Sequence, residues 1–224
     1  MPPGSLIEAR GLVKTYLRGE RSLTVLRGVD LEVSGGDFVA VMGPSGSGKT
    51  TLLHILGCLD RPSAGHYRLA GRDVTELSDR ALSRIRARDI GFVFQTFNLI
   101  PSLTLQENVA LPFAYAGGGA FRERVRQAMA QVGLSERRDH RPAALSGGEM
   151  QRAAIARALA IGPRLILADE PTGNLDTDTT RDILDLFAYM HAGGATIIMV
   201  THDRDVAAVA RRRVLLTDGL LVRA

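Results

Sequence analysis

Three short apolar runs recur along the chain, and each ends in polar residues. Phe38-Val39-Ala40-Val41-Met42 runs into a glycine-rich turn, Leu165-Ile166-Leu167-Ala168 into two carboxylates, and Thr196-Ile197-Ile198-Met199-Val200 into Thr201-His202-Asp203. Runs this short and this uniformly apolar predict strands covered on both faces of a parallel sheet. Open α/β sheets bind ligands at the carboxyl ends of such strands. Residues 6–16 and 23–33 alternate loosely and are broken by Gly11, Gly19 and Gly28. They predict antiparallel strands beside the main sheet, with 66–70 as one more. Residues 122–132 are rich in helix formers and stop at Gly133, a C-cap, and 153–160 form an alanine-rich helix stopping at Gly162-Pro163. Just before the first of them, Gly117-Gly118-Gly119 predicts a flexible surface loop.

Composition narrows the class. A chain of 224 residues makes one ample domain or two small ones, and 45% hydrophobic with 23% charged residues is globular rather than disordered. No apolar run approaches the roughly 18–20 residues that cross a bilayer. The opening Met1-Pro2-Pro3-Gly4-Ser5 lacks the basic and apolar segments of a secretory signal. A single cysteine, Cys58, excludes an internal disulfide framework and a Cys-rich zinc site, so a soluble, reduced, intracellular α/β protein is expected. The net charge of +4 permits nucleic acid or an anionic membrane as partner without choosing between them. All but two of the 28 basic residues are arginine, the exceptions being Lys14 and Lys49.

Gly43-Pro44-Ser45-Gly46-Ser47-Gly48-Lys49-Thr50 fits the phosphate-loop pattern G-x-x-x-x-G-K-[ST], between an expected strand and an expected helix over 51–56. Its glycines let successive N–H groups turn toward phosphate oxygens, and the helix start adds positive potential. Lys49 is expected to reach the β and γ phosphates and the Thr50 hydroxyl to ligate Mg²⁺. In a chain that otherwise uses arginine, a lysine here points to a compact ammonium where a planar fork would not fit. Asp169 and Glu170, at the end of a buried strand, are expected to hold Mg²⁺ and to polarise the attacking water. Leu145-Ser146-Gly147-Gly148-Glu149-Met150-Gln151 carries an S-x-x-E capping box. Its plain reading is a well-capped helix. Its functional reading is a second anion site built from the Ser146 hydroxyl and the Gly147 and Gly148 amides.

Taken in order, these three motifs resemble the nucleotide-binding subunit of an ABC transporter, over residues 6–222. The resemblance implies a P-loop, RecA-like α/β core with a mainly parallel sheet (residues 1–95 and 162–224), an N-terminal antiparallel β subdomain and an inserted helical subdomain (96–161), all in one domain. It implies that Tyr16 stacks on adenine and that residues 43–50 and Thr51 bind the rest of ATP. It also implies that Gln95 senses Mg²⁺ and the γ phosphate, that Asn174-Leu175-Asp176 crosses to a partner subunit, and that His202 contacts the γ phosphate. Two copies would pack head to tail, each ATP lying between one phosphate loop and the other copy's Ser146-Gly147-Gly148.

Ile55-Leu56-Gly57-Cys58-Leu59-Asp60-Arg61-Pro62, Phe94-Gln95-Thr96-Phe97-Asn98-Leu99-Ile100-Pro101, Glu107-Asn108-Val109 and Pro171-Thr172-Gly173-Asn174-Leu175-Asp176 resemble the lipoprotein-release and macrolide-export group. That resemblance implies a separate integral-membrane permease and a peripheral position on the cytoplasmic face of a bacterial inner membrane. The apolar Phe97, Leu99, Ile100, Pro101 and Leu103 are either a docking patch for it or ordinary core. The arginines at 122, 124 and 126, at 137, 138 and 141, and at 211–213 read as solvated faces, with lipid head groups as a minor alternative. Nucleic acid is not expected. A GTPase would need N/T-K-x-D, but Tyr16 and Thr51 stand two residues after the lysines. The remaining rival is a cell-division-type signalling ATPase of the same family, acting on a permease-like partner without transport.

Overall fold

The computed structural model describes residues 5–19, 21–116 and 121–223. The glycine run 117–119 lies outside them. The chain opens with two long strands, β1 (Ser5–Arg18) and β2 (Arg21–Ser34), paired antiparallel. With β4 (Ala64–Leu69) and β5 (Arg72–Asp73) they form a four-stranded sheet in the order β2-β1-β4-β5. The second sheet has six strands in the order β10-β9-β3-β8-β7-β6. These are β3 (Phe38–Met42), β6 (Ile90–Phe94), β7 (Leu165–Asp169), β8 (Ile197–Val200), β9 (Arg212–Thr217) and β10 (Leu220–Arg223). All its pairings are parallel except the β9–β10 hairpin.

The central strands are apolar throughout because each separates two cores. Val39, Val41, Leu165, Leu167, Ile198 and Val200 face the core shared with the antiparallel sheet and helix α1 (Lys49–Leu56). Their neighbours Phe38, Ala40, Ile166, Ala168, Ile197 and Met199 face the opposite core. Helices α3 (Leu105–Ala110), α5 (Phe121–Gln131), α6 (Gly147–Ala160) and α7 (Thr177–Ala192) contribute to that second core. Helices α2 (Asp79–Asp89), α4 (Phe113–Ala116) and α8 (Arg204–Ala207) complete the set. No described helix is long and apolar enough to cross a membrane.

Two expectations need correction. The alanine-rich helix begins not at 153 but at Gly147, immediately after Ser146, so the capping box and the helix are one element. Arg212 is not simply part of a solvated face: it opens β9 and donates to the Glu32 carbonyl at 2.6 Å, while Arg211 and Arg213 on either side are exposed as expected.

Candidate active site

Because β3, β8 and β7 are adjacent and parallel, their carboxyl ends bring the 43–48 loop, Thr201-His202 and Asp169-Glu170 to one edge. The loop feeds directly into α1. Gly48 is the N-cap, left-handed at φ 104°, and no side chain caps the helix. The first-turn amides are thus free of side-chain acceptors, the arrangement that receives an anion. A Cβ at Gly43 would collide with the Leu216 carbonyl. Ser47 Oγ is buried and has no hydrogen-bond partner among the described residues. An orphaned buried hydroxyl is costly, and a bound oxygen ligand would satisfy it. Lys49 is 8% exposed and folds back over the loop, its Nζ donating to the Gly43 and Pro44 carbonyls at 2.9 and 3.0 Å.

Thr50 donates from Oγ1 to Asp169 Oδ1 at 3.4 Å. Burial pushes the Asp169 carboxyl above its ordinary range; the Thr50 hydroxyl opposes the rise and the negative Glu170 adds to it. Among the described residues no cluster of three or more His, Cys, Asp or Glu could cage a metal. A buried carboxylate with one hydroxyl suits Mg²⁺, which keeps water and phosphate oxygens as its other ligands.

Glu170 is held in place by its backbone. Its N–H donates to the Val200 carbonyl at 2.9 Å, and its φ is +45°. Such a conformation costs a non-glycine residue about 1–2 kcal/mol. The carboxylate is mostly buried, with Oε1 2.8 Å from Nδ1 of the exposed His202. Gln95 and Asn174 exchange hydrogen bonds: Gln95 Nε2 donates to Asn174 Oδ1 at 3.2 Å and Asn174 Nδ2 to the Gln95 carbonyl at 3.0 Å. Asp176, in contrast, is spent on its own helix. It caps α7, accepting from the Thr179 hydroxyl and amide, and these bonds hold its carboxyl below the ordinary range.

Ser146 caps α6 through the reciprocal box with Glu149. Among the described residues no hydrogen bond joins residues 146–148 to the phosphate loop. A Cβ at Gly147 would instead meet Leu175 and Phe97. Tyr16, near the end of β1, is 38% exposed, and its hydroxyl donates to Asp60 Oδ2 at 2.8 Å. Phe97 and Asn98 both have positive φ, and Arg157 of α6 donates to both carbonyls. Fully buried Asn108 bonds the backbone of Ile100, Leu103 and Thr104. Neither tie was legible beforehand, although Asn108 stands in one of the quoted motifs.

The family model described as ABC transporter matches residues 26–173. The chain belongs to the ABC transporter family. It is an ATPase cassette of that family. It is 53% identical over 221 residues to a macrolide export ATP-binding/permease protein MacB of Syntrophobacter fumaroxidans, covering 96% of this chain. It spans only 31% of that relative's own length. It is 47% identical to an uncharacterized ABC transporter ATP-binding protein, YknY of Bacillus subtilis, over 98% of this chain and 96% of the relative. A dimeric ATP-binding cassette solved in a post-hydrolysis state, bound to ADP and Pi, superposes with a TM-score of 0.89 at 43% identity, covering 97% of each chain.

In a nucleotide-free cassette the raised Asp169 carboxyl is a liability. A folded-state carboxyl pKa above the unfolded one means that stability is lost as pH rises through that titration. Asp169→Asn is therefore expected to raise the melting temperature of the nucleotide-free cassette at neutral pH by about 2–4 °C. In acid, where Asp169 is protonated in both folded and unfolded chains, the gain should vanish. Differential scanning calorimetry at the two pH values checks both parts.

Proposed function

We propose that this chain is the ATP-binding and ATP-hydrolysing subunit that powers a separate membrane permease through a cycle of ATP-dependent dimerisation. The observation that carries the reading is Glu170, mostly buried and hydrogen-bonded to His202 at 2.8 Å, at the same sheet edge as the phosphate loop and Asp169. Residues 43–51 bind the triphosphate through Lys49, Ser47 and the backbone N–H groups of the loop, Pro44 having none to give, and Tyr16 stacks on the base. Thr50 and Asp169, with Gln95, hold Mg²⁺, which supplies charge neutralisation on the phosphate oxygens. Glu170 accepts the proton of the water that attacks the γ phosphorus as the bond to the β–γ bridging oxygen breaks. His202 orients that carboxylate and faces the γ phosphate.

A dimer follows from the position of Ser146-Gly147-Gly148. This helix start has the chemistry of an anion site yet no bond to the chain's own phosphate loop, which supports its serving the loop of a second copy, with 174–176 crossing between them. ATP then forms part of the interface, and loss of the γ phosphate weakens it. The core over 1–95 and 162–224 carries the phosphate loop, and 96–161 carries the second anion site.

The permease is proposed to dock beside residues 97–103. Ile100 there is 41% exposed. An apolar groove of about 530 Å³, lined by Leu59, Phe92, Phe94, Asn98 and Arg157 among others, opens next to it. This docking would set the chain on the cytoplasmic face of the inner membrane. Light scattering of Glu170→Gln tests the dimer: Mg-ATP should double the mass and Mg-ADP should not. Monomers under both conditions would sink the sandwich.

A further inference from the structure

Lys14 is the one lysine that the ATPase reading leaves without a role, in a chain that otherwise places arginine where a cation is wanted. Its ammonium is largely encased. The side chain is 12% exposed, and Nζ donates to Asp60 Oδ1 at 2.6 Å and to the Arg61 carbonyl at 2.7 Å. The same Nζ lies 4.8 Å from the centroid of the Tyr16 ring. The other Asp60 oxygen, Oδ2, accepts the Tyr16 hydroxyl at 2.8 Å. Asp60 thus divides its two oxygens between the cation and the phenol. Partial burial opposes ionisation of Asp60, but the Lys14 and Tyr16 bonds outweigh it and hold the carboxyl below its ordinary range.

Asp60 is itself fixed by α1. That helix begins at Lys49 with the phosphate loop at its head. Just past its end, the Leu59 and Asp60 amides donate to the His54 carbonyl at 2.8 and 3.2 Å. One short rigid element therefore carries the triphosphate cradle at its start and the anchor for Tyr16 at its end.

We propose that Lys14 and Asp60 act as positioning residues that clamp the Tyr16 ring for the nucleobase, in register with the phosphate loop. The inference rests on the reading that Tyr16 stacks on the base. Lys14 takes one face of the ring as a cation–π partner and leaves the other for the purine. A compact ammonium can lie over the ring while donating to both Asp60 and the Arg61 carbonyl. A guanidinium is larger, and a side chain that is 12% exposed here leaves little room for it. The clamp fixes the ring before ATP arrives, so the cost of ordering it is not charged to binding.

The test compares Mg-ATP with inorganic tripolyphosphate, which has the phosphates and no base, by calorimetric titration of the full chain, alongside steady-state hydrolysis. Asp60→Asn and Lys14→Met are expected to raise KM for ATP by about fivefold to tenfold with kcat within about twofold of wild type. Tripolyphosphate affinity should not change. Tyr16→Phe, which keeps the ring and loses only the bond to Asp60, should weaken ATP in the same base-dependent way and serves if Asp60→Asn does not fold. An unchanged ATP affinity in these variants while Tyr16→Ala weakens ATP would overturn the clamp and leave the stacking reading intact. Equal weakening of ATP and tripolyphosphate would also overturn the clamp, since it reports damage to the fold. If Tyr16→Ala itself leaves the ratio of the two affinities at the wild-type value, the stacking reading fails and the clamp falls with it.

Discussion

Replacing Glu170 by Gln is expected to lower kcat by about 10²–10⁴-fold, the range a general base contributes, while ATP affinity holds. The substitution changes no volume and leaves the backbone device intact. The residue-170 amide still donates to the Val200 carbonyl, and glutamine meets the positive φ of 45° at the same cost as glutamate. What goes is the acceptor: a carboxamide cannot take the proton of the attacking water. The His202 contact at 2.8 Å survives as a neutral hydrogen bond, so the loop keeps its shape. His202→Ala should be milder, because it frees the carboxylate to rotate without removing it. Phosphate release at saturating Mg-ATP, with ATP affinity measured in parallel, separates the two effects. A Glu170→Gln rate within tenfold of wild type would mean that another group takes the proton.

The parallel strands were legible because a strand packed on both faces leaves a run with no polar position, as in Leu165–Asp169 up to its last residue. The phosphate loop was legible because its glycines are required by backbone geometry. β9 was not. Only its alternate residues Val214 and Leu216 are buried, and it opens with arginines, so its pattern reads as surface. The Lys14–Asp60–Tyr16 cluster was not legible either, although the resemblance had set Tyr16 against adenine. Its members are separated by up to 46 residues, and no periodicity encodes a hydrogen bond across that distance. The same holds for Arg157, whose partners Phe97 and Asn98 lie 60 and 59 residues away. Side-chain bonds between distant segments follow from the packed fold and have no local signature. That is also why Asp176 could be assigned to a partner subunit from its motif while its oxygens are bonded to Thr179.

Lys49→Met and Gly147→Asp should each abolish ATP hydrolysis alone and restore part of it when mixed. Lys49→Met keeps the stem and removes the ammonium that closes the loop through Gly43 and Pro44. Gly147→Asp is chosen for the opposite end of the site. A Cβ there would meet Leu175 at 3.4 Å and Phe97 at 4.0 Å, ordinary van der Waals distances, so the fold should accept it. A carboxylate in the first turn of α6 even favours the helix dipole, so the helix forms while the charge repels phosphate. If each ATP lies between the phosphate loop of one copy and residues 146–148 of the other, a mixed dimer carries both lesions in one site and none in the second. Free exchange of equal amounts makes half the dimers mixed, and independent sites then recover about a quarter of wild-type hydrolysis. If each chain instead completed its own site, every chain in the mixture would hold one lesion and no activity could return. Recovery on mixing therefore separates a shared site from a private one without any assumption about the permease, and its absence in mixtures shown to exchange would exclude the head-to-tail arrangement.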